Sequence, residues 1–282
     1  MNIMARPPNP REAVSKASRA YYAHRAHYED LFIQPGGRVS ESTKRELNFL
    51  EHVFSADATR PIKELLDIAC GSGRHMFELA NRGYKCTGLD YTPERVQIAK
   101  ARAKREGISV KLLQGDATQL DYESKFDAVL ALYILFLLPN DDDVLKCLRQ
   151  IHRALRKGGV LICNIGNPFY AGKHWFSLQT IYKGLNVVEE RAPSIHITEI
   201  VRIRDFDPMH GVTWWDEKNI IEAPDGVHVF RDRERLRLFT YWDLLHYLQA
   251  SGFKEIKCYT NWKTNPPNNR KAETLIFVAR KD

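Results

Sequence analysis

The sequence predicts an α/β fold: a doubly wound, mostly parallel seven-stranded sheet with an antiparallel β cap inserted after the fifth strand. Two features predict it. Between residues 64 and 165 short apolar runs alternate with segments of helical period, which marks βαβ units and a parallel sheet. Three long strand-like runs with turn signals between them then interrupt that alternation, and helical periodicity returns only at Thr240.

MNIMARPPNP is proline-rich and polar and reads as part of a loose tail. Residues from about 11 to 30 and from 40 to 54 read as helices, the second with Leu47, Leu50, Val53 and Phe54 on one face. A strand at 64–69 leads into a helix, Arg74–Asn81, closed by Gly83. After a strand at 85–89, Thr92-Pro93-Glu94 brings together a capping hydroxyl, a first-turn proline and an acid near the positive helix end. Gly107 ends that helix. Strands follow at 109–114 and 126–132. Asn140, Asp141, Asp142 and Asp143 start the next helix, whose Val144, Leu148, Ile151 and Leu155 line one side. Its end is marked by Gly158-Gly159. Three acids ahead of a helix serve capping and dipole compensation rather than a metal. A fifth strand spans 160–165. The insert carries strands at 196–206, 212–222 and 227–237, separated by Asp207-Pro208 and Pro224-Asp225-Gly226. Trp214 and Trp215 adjoin in one of them and must point to opposite faces, one inward and one toward a pocket. A helix from Thr240 to Gly252 and strands at 253–259 and 274–279 complete the chain. The expected division is a tail at 1–14, N-terminal lid helices at 15–60, a ligand-binding domain at 61–167 and 238–282, and a substrate cap at 168–237.

Bulk properties exclude several function classes. The 282 residues are 44% hydrophobic, enough for one sizeable core with a subdomain. The net charge of +7 is dispersed: residues 251–282 hold seven bases and three acids, but 201–237 hold seven and eight. Dispersed charge reads as solvated surface, and no nucleic-acid-binding signature accompanies it. The five cysteines (Cys70, Cys86, Cys147, Cys163 and Cys258) are scattered and form no Cys-x-x-Cys pair. Buried thiols in a reducing compartment explain them better than disulfides or zinc. No apolar run reaches the roughly 20 residues of a membrane span, so a cytoplasmic protein is expected.

The chemistry concentrates at the strand ends. LLDIACGSGRH, residues 65–75, is an apolar run, an acid and two glycines, but the third glycine of G-x-G-x-x-G is replaced by Met76. No Gly-Lys-Ser/Thr follows, so a pyrophosphate is not the expected ligand. Glycine at 71 and 73 would let the backbone approach a ligand closely. Asp90, nineteen residues after Gly71, ends the second strand and suits a ribose diol. Asp116, followed by a free backbone N–H, suits the edge of adenine. An adenosine without pyrophosphate points to S-adenosylmethionine.

LLDIACGSGRH, GLDYT, GDAT, FDAVLAL and LRKGGVLI resemble, in order, the motifs of class I S-adenosylmethionine-dependent methyltransferases, which have a Rossmann-like fold. The resemblance covers about residues 62–166. TYWDLLHYLQASGFKEIKCY resembles the family's terminal helix–strand element. Ala69 stands where many members have glycine. The resemblance implies that Asp67 orients the glycine loop, with Ala69, Gly71 and Gly73 against the methionine and ribose. It implies that Asp90 holds the ribose hydroxyls with Tyr91 beside the adenine, that Asp116 and Ala117 read the adenine edge, and that Leu132 lies near the amino-acid end. No metal is implied, and the product is S-adenosylhomocysteine. The β-rich insert followed by RLRLFTYWDLL resembles capped small-molecule enzymes, the amino-sugar and glycine-type N-methyltransferases. SRAYYAHRAHYEDLF resembles their closing helix, in which Tyr21 or Tyr22 would contact the methionine end.

NPFY (167–170) and NPPN (265–268) resemble an Asn-Pro-Pro-Tyr loop but stand after the wrong strands, so they read as turns. Sulfonium methyl transfer is an in-line displacement that demands no particular catalytic group. Tyr133, Tyr170, His174, His196 and Arg237 are the candidates for base or substrate contact. The expected function is methyl transfer to nitrogen, or as second choice oxygen, of a small molecule by a monomer or homodimer. Nucleic acid and membrane are not expected partners. The alternatives are a methyltransferase acting on RNA or protein, and a protein that binds S-adenosylmethionine without transferring its methyl group.

Overall fold

Strands that are apolar along their whole length need cover on both faces, and the central strands here have it. The computed structural model describes residues 40–138, 140–171, 177, 178, 181, 185–192, 195–264 and 271–282. In chain order the elements are α1 (Glu41–Ala56), β1 (Glu64–Ile68), α2 (Arg74–Asn81), β2 (Lys85–Asp90), α3 (Pro93–Glu106), β3 (Lys111–Gln114) and β4 (Phe126–Ala131). A 3-10 turn (Leu135–Leu137), α4 (Asp141–Ala154) and β5 (Leu155–Gly166) follow. Next come β6 (Leu185–Ala192), β7 (Ile195–Asp207), β8 (Val212–Ala223) and β9 (Gly226–Arg237), then α5 (Tyr241–Ala250), β10 (Lys254–Thr260) and β11 (Thr274–Arg280).

The main sheet has seven strands in the order β10-β11-β5-β4-β1-β2-β3. All run parallel except β11, which is antiparallel to both neighbours. On one face Leu66, Ile68, Val129, Ala131, Leu161 and Cys163 pack with the Val144, Cys147, Leu148 and Ile151 stripe of α4 and with Leu244 and Leu248 of α5. On the other, Leu65, Ala128, Leu130, Val160 and Ile162 pack with α1, α2 and α3 through residues such as Leu50, Phe77 and Val96. The chain passes from β3 across to β4, so strand order reverses between β1 and β4. The crevice at their carboxyl ends is where such sheets take ligands.

Asn140 caps its helix as the sequence suggests, whereas Thr92 stands at the N-cap of α3 but its side chain makes no capping hydrogen bond; two further caps come from the structure. Ser40 accepts from the Thr43 N–H at the start of α1, Asn140 from Asp143 at α4, and Thr240 from Asp243 at α5 in a reciprocal capping box. The three acids ahead of α4 thus sit in its first turn, with Asp143 also joined to Asn140.

Two details differ from expectation. The fifth-strand helix does not run to Gly158-Gly159. It stops at Ala154 because Leu155 already pairs with Phe126 of β4, and the glycines form a bulge within β5. Gly158 has φ +77°, and a Cβ on Gly159 would lie 2.8 Å from the Asp127 carbonyl oxygen. The second sheet has four strands, not three, in the order β6-β7-β8-β9, all antiparallel. The added strand, LNVVEERA, lies at the sheet edge and carries three consecutive charges, which mask its alternation.

This sheet is rooted beside the carboxyl edge of the main one. Val201, Trp215 and Leu236 form a cluster with Phe136 of the 3-10 turn, and Phe136 also packs on the main core. Trp215 is the inward tryptophan, its Nε1–H donating to Thr213 Oγ1, while Trp214 is partly exposed on the other face. No helix among the described residues is long and apolar enough to cross a membrane.

At the opposite end of the sheet, Asp127 of β4 is only 2% exposed. Its Oδ2 accepts from the N–H groups of Lys63 and Glu64 at the start of β1, and its Oδ1 faces Arg60 and Arg156. Burial pushes this carboxyl up, but the two backbone donors and Arg156 outweigh burial and hold it below its ordinary value. Asp127→Ala should cost about 3–5 kcal/mol at neutral pH, as expected for breaking a buried ion pair. A depressed folded value means that this stability is complete above the unfolded carboxyl range of about 4 and is lost as pH falls through the folded value. Urea unfolding curves of wild type and variant should therefore converge on acidification.

Candidate active site

The loop between β1 and α2 is built on left-handed backbone: φ is 58° at Ala69, 54° at Gly71 and 92° at Gly73. A non-glycine residue at positive φ is strained by about 1–2 kcal/mol, and neighbouring strand ends hold Ala69 there. Cys70 N–H donates to the Leu89 carbonyl at 3.1 Å, and Gly71 N–H to Asp90 Oδ2 at 2.9 Å. At Gly73 a Cβ would strike the Phe77 ring at 2.6 Å, so helix packing and the positive φ also demand glycine there. At Gly71 a Cβ would meet only Arg95 Nη1 at 3.6 Å, an ordinary contact, and the positive φ is what favours glycine.

Three carboxylates gather around this loop. Asp67 is the penultimate residue of β1 and is buried. Burial pushes its pKa up to about 7, the Arg74 guanidinium opposes the rise, and the Asp90 charge adds to it. Asp90 is buried at the end of β2, where its second oxygen accepts from the Thr92 N–H at 2.8 Å. A carboxylate has about four acceptor positions, so these two backbone bonds leave room for a diol. Gly115 N–H donates to the Asp90 carbonyl, which brings the loop after β3 alongside. In that loop Asp116 accepts from both the N–H and the hydroxyl of Thr118, and Ala117 is buried. Tyr91 is largely exposed beside Asp90, and Leu132 is buried at the end of β4.

A second cluster, missed in the sequence, adjoins the first. Glu46 lies on the buried face of α1, and its Oε2 meets Arg74 at 2.7 Å and His75 Nε2 at 2.6 Å. Arg74 also donates to Thr43 of α1. Burial pushes the Glu46 carboxyl up, but the His75 hydrogen bond and the Arg74 charge prevail and lower it. Burial and Arg74 together lower His75, against the pull of Glu46. Tyr133, at φ 59° just beyond β4, has its N–H on Asn164 Oδ1 of β5 and its hydroxyl 3.5 Å from Glu46 Oε1. Burial of that hydroxyl, the Glu46 charge beside it and an opposing Arg74 leave the phenol at about 12. The available signal was an acid on the apolar stripe Glu46, Leu50, Val53 of a helix, together with the Arg-His that follows the glycine loop.

The other candidates stand apart. His196 lies on the less buried face of the second sheet, bonded to Glu222 at 3.1 Å. Arg237 faces Asp141 at 3.3 Å and stacks over Phe239, which anchors the end of β9. Tyr170 sits in the turn after β5, where its N–H donates to Asn167. Tyr21, Tyr22, His174 and the NPPN turn lie outside the described residues.

The site suits S-adenosylmethionine on its own terms. Its side-chain donors and acceptors are mainly carboxylates, able to take a diol, an adenine amino group and positive charge. The N-terminus of α2 at Gly73 has no side-chain cap, as befits a place for a ligand carboxylate. The buried Asp67, raised by its surroundings, would be relieved by a cation.

The fold, together with the comparisons that follow, supports an S-adenosylmethionine-dependent methyltransferase. Residues 65–159 match the family described as a methyltransferase domain. A Geobacillus sp. (strain WCH70) protein known by class as a methyltransferase is 24% identical over 83% of this chain and 91% of its own. The demethylmenaquinone methyltransferase of Lactococcus lactis subsp. lactis (strain IL1403) is 36% identical, but over 35% of this chain and 40% of its own. Among solved structures, an S-adenosylmethionine-dependent methyltransferase of Clostridium acetobutylicum superposes with TM-score 0.73 at 17% identity, over 93% of this chain and 99% of its own. The sugar N-methyltransferase KedS8 of Streptoalloteichus sp. ATCC 53650 does so with TM-score 0.63 at 20% identity, over 92% of each chain. At these identities the structural likenesses establish the fold.

Two outcomes are expected in calorimetric titrations with S-adenosylmethionine. Asp90→Ala should weaken binding about 100-fold or more, since hydrogen bonds to a charged group contribute about 1.5–3 kcal/mol each and the loop loses its tether. Binding should also tighten as pH rises from 5.5 toward 7.5, because Asp67 gains its charge near pH 7, and Asp67→Asn should flatten that dependence.

Proposed function

We propose that the enzyme transfers the methyl group of S-adenosylmethionine to a nitrogen of a small-molecule acceptor, with oxygen as second choice, by in-line displacement. The observation that carries this reading is the second sheet rooted through Phe136 against the carboxyl edge, three residues beyond Tyr133. A cap in that position narrows access for polymers and favours an enclosed, partly apolar pocket. The likeness to a sugar N-methyltransferase supports nitrogen.

When bound, S-adenosylmethionine would supply an electrophilic methyl on a positively charged sulfur. The chain's share is positioning. Asp90 would hold the ribose hydroxyls, Tyr91 would lie beside the adenine, and Asp116 with the Ala117 N–H would read its edge. Asp67, Ala69, Gly71, Gly73 and Leu132 would surround the ribose and methionine, and Tyr22 would close over the amino-acid end. Residues 15–60 would act as a lid and 168–237 as the substrate cap. Tyr133 keeps its proton throughout the neutral range, since its pKa stands at about 12. Its role is then to orient the acceptor by hydrogen bonding, not to act as base. Water exclusion and alignment do the remaining work.

S-adenosylmethionine with a labelled methyl group, incubated with the enzyme and an extract of the cells that make it, tests the reading. Label should enter the small-molecule fraction and vanish with Asp90→Ala. Label in RNA or protein would overturn it. Tyr133→Phe should lower kcat about tenfold, the scale of one lost hydrogen bond, without adding or removing a limb of the pH–rate profile below pH 10.

A further inference from the structure

We propose that Tyr133 is held in a clamp of two positioning residues, Glu46 of α1 and Trp262 of the turn after β10, which fix its hydroxyl where the acceptor is oriented. This rests on the role given to Tyr133 above and goes beyond it, by naming the groups through which the rest of the chain sets that role.

Two aromatic residues at the carboxyl edge of the main sheet stand on left-handed backbone: Tyr133 at φ 59°, just beyond β4, and Trp262 at φ 57°, just beyond β10. Bulky side chains rarely take that conformation, and positions that hold one against the strain cluster at functional sites. Neither residue is left to relax. The Tyr133 N–H donates to Asn164 Oδ1 of β5, and Asn164 is itself 2% exposed. Beside Trp262, Asn261 is also left-handed, at φ 54°, a backbone that asparagine tolerates better than most residues. Its Oδ1 accepts from the N–H groups of Glu273 and Thr274 at 2.9 and 3.0 Å, and its Nδ2 donates to the Lys271 carbonyl at 2.6 Å. One asparagine thus bolts the Trp262 turn to the start of β11.

The two strained residues meet. Their ring centroids lie 6.4 Å apart, tilted by 41°. Trp262 is buried and also meets Phe49 of α1, edge-on at 5.6 Å and 84°. Phe49 comes three residues after Glu46, on the same side of the helix. So α1 works at both ends of the pair: Phe49 backs the indole, and Glu46 Oε1 faces the Tyr133 hydroxyl at 3.5 Å. That is long for an O–H···O bond, as such contacts commonly are before a ligand tightens them. Glu46 is in turn fixed through its other oxygen by Arg74 and His75. Burial and then the Glu46 charge raise the phenol, while the Arg74 charge and hydrogen bonding with Trp262 and Arg74 oppose the rise, so the indole acts on the same hydroxyl. Yet Tyr133 as a whole is 40% exposed. A tyrosine gripped at backbone, ring and hydroxyl, but open on its remaining side, has little freedom left to lose when an acceptor binds. That suits a group which must hold a reacting atom in line with a methyl.

The acceptor probe is the small-molecule fraction of the extract described above, used at saturating amount with methyl-labelled S-adenosylmethionine. Trp262→Leu and Glu46→Gln should each lower kcat about three- to tenfold, no further than Tyr133→Phe does. Trp262→Phe, which keeps a ring, should retain most of the rate. Affinity for S-adenosylmethionine by calorimetry should stay within about twofold of wild type, since only the chemical step is served. In a Tyr133→Phe background, Trp262→Leu and Glu46→Gln should change kcat by less than about twofold, because a residue that acts through the hydroxyl then has nothing to hold. A merely structural role would lower kcat by the same factor in both backgrounds, and that result overturns the proposal. So does a wild-type kcat in both single variants, or a loss confined to S-adenosylmethionine affinity. Should Trp262→Leu lack a cooperative unfolding transition, the comparison of backgrounds is decided on Glu46→Gln, which keeps the shape of the side chain. A wild-type kcat in Tyr133→Phe would instead overturn the reading of Tyr133 itself, and it is seen without either clamp variant.

Discussion

The site depends on one carboxylate. Asp90 closes β2 with one oxygen on the N–H of Gly71 and the other on that of Thr92. It thereby ties the tip of β1 to the tip of β2 and starts α3 at the same point. The β1–α2 loop contains three residues at positive φ, one of them alanine, and an untethered loop of this kind would relax. The tether is charged, and charge-assisted hydrogen bonds are stronger than neutral ones. The residue that shapes the loop is also the one proposed above to hold a ribose.

That economy has an electrostatic consequence. Burial raises Asp67 to about 7, and the charge of nearby Asp90 adds to the rise. Arg74 is the local counterweight, but it also binds Glu46. One guanidinium thus serves two acids, and the acid on its far side belongs to α1. The docking of α1 and the charge state beneath the glycine loop are coupled through Arg74 and His75, the first two residues of α2. A cation arriving beside Asp67 would relieve its raised carboxyl.

Much of this was legible in the sequence where the determinants are local. The apolar strands, the cap at Asn140 and the acids at strand ends each lie within a few residues of the feature they create. Where determinants are distant the sequence says less. Glu46 and His75 are 29 residues apart, and nothing in either segment names the other. Gly158-Gly159 carries an ordinary helix-stop signal, yet the stop comes at Ala154, because pairing of Leu155 with Phe126 outweighs local preference. The edge strand β6 went unseen because its charges hide the alternation that identifies a strand. Arg237 and His196 are residue types that suit a site, but the one anchors the end of β9 and the other faces away from the buried side of its sheet.

The second sheet shows how a division of faces can hide in a pattern. FRDRERLR reads as a mixed-charge run, which on composition alone means solvated surface. Period two sorts it into a basic face and an acidic one, but only the register with β8 shows which of them is buried. Residues 65–159 are the part that matches the methyltransferase domain family. The second sheet lies outside that match, and the division of its faces emerges only when its strands are laid side by side.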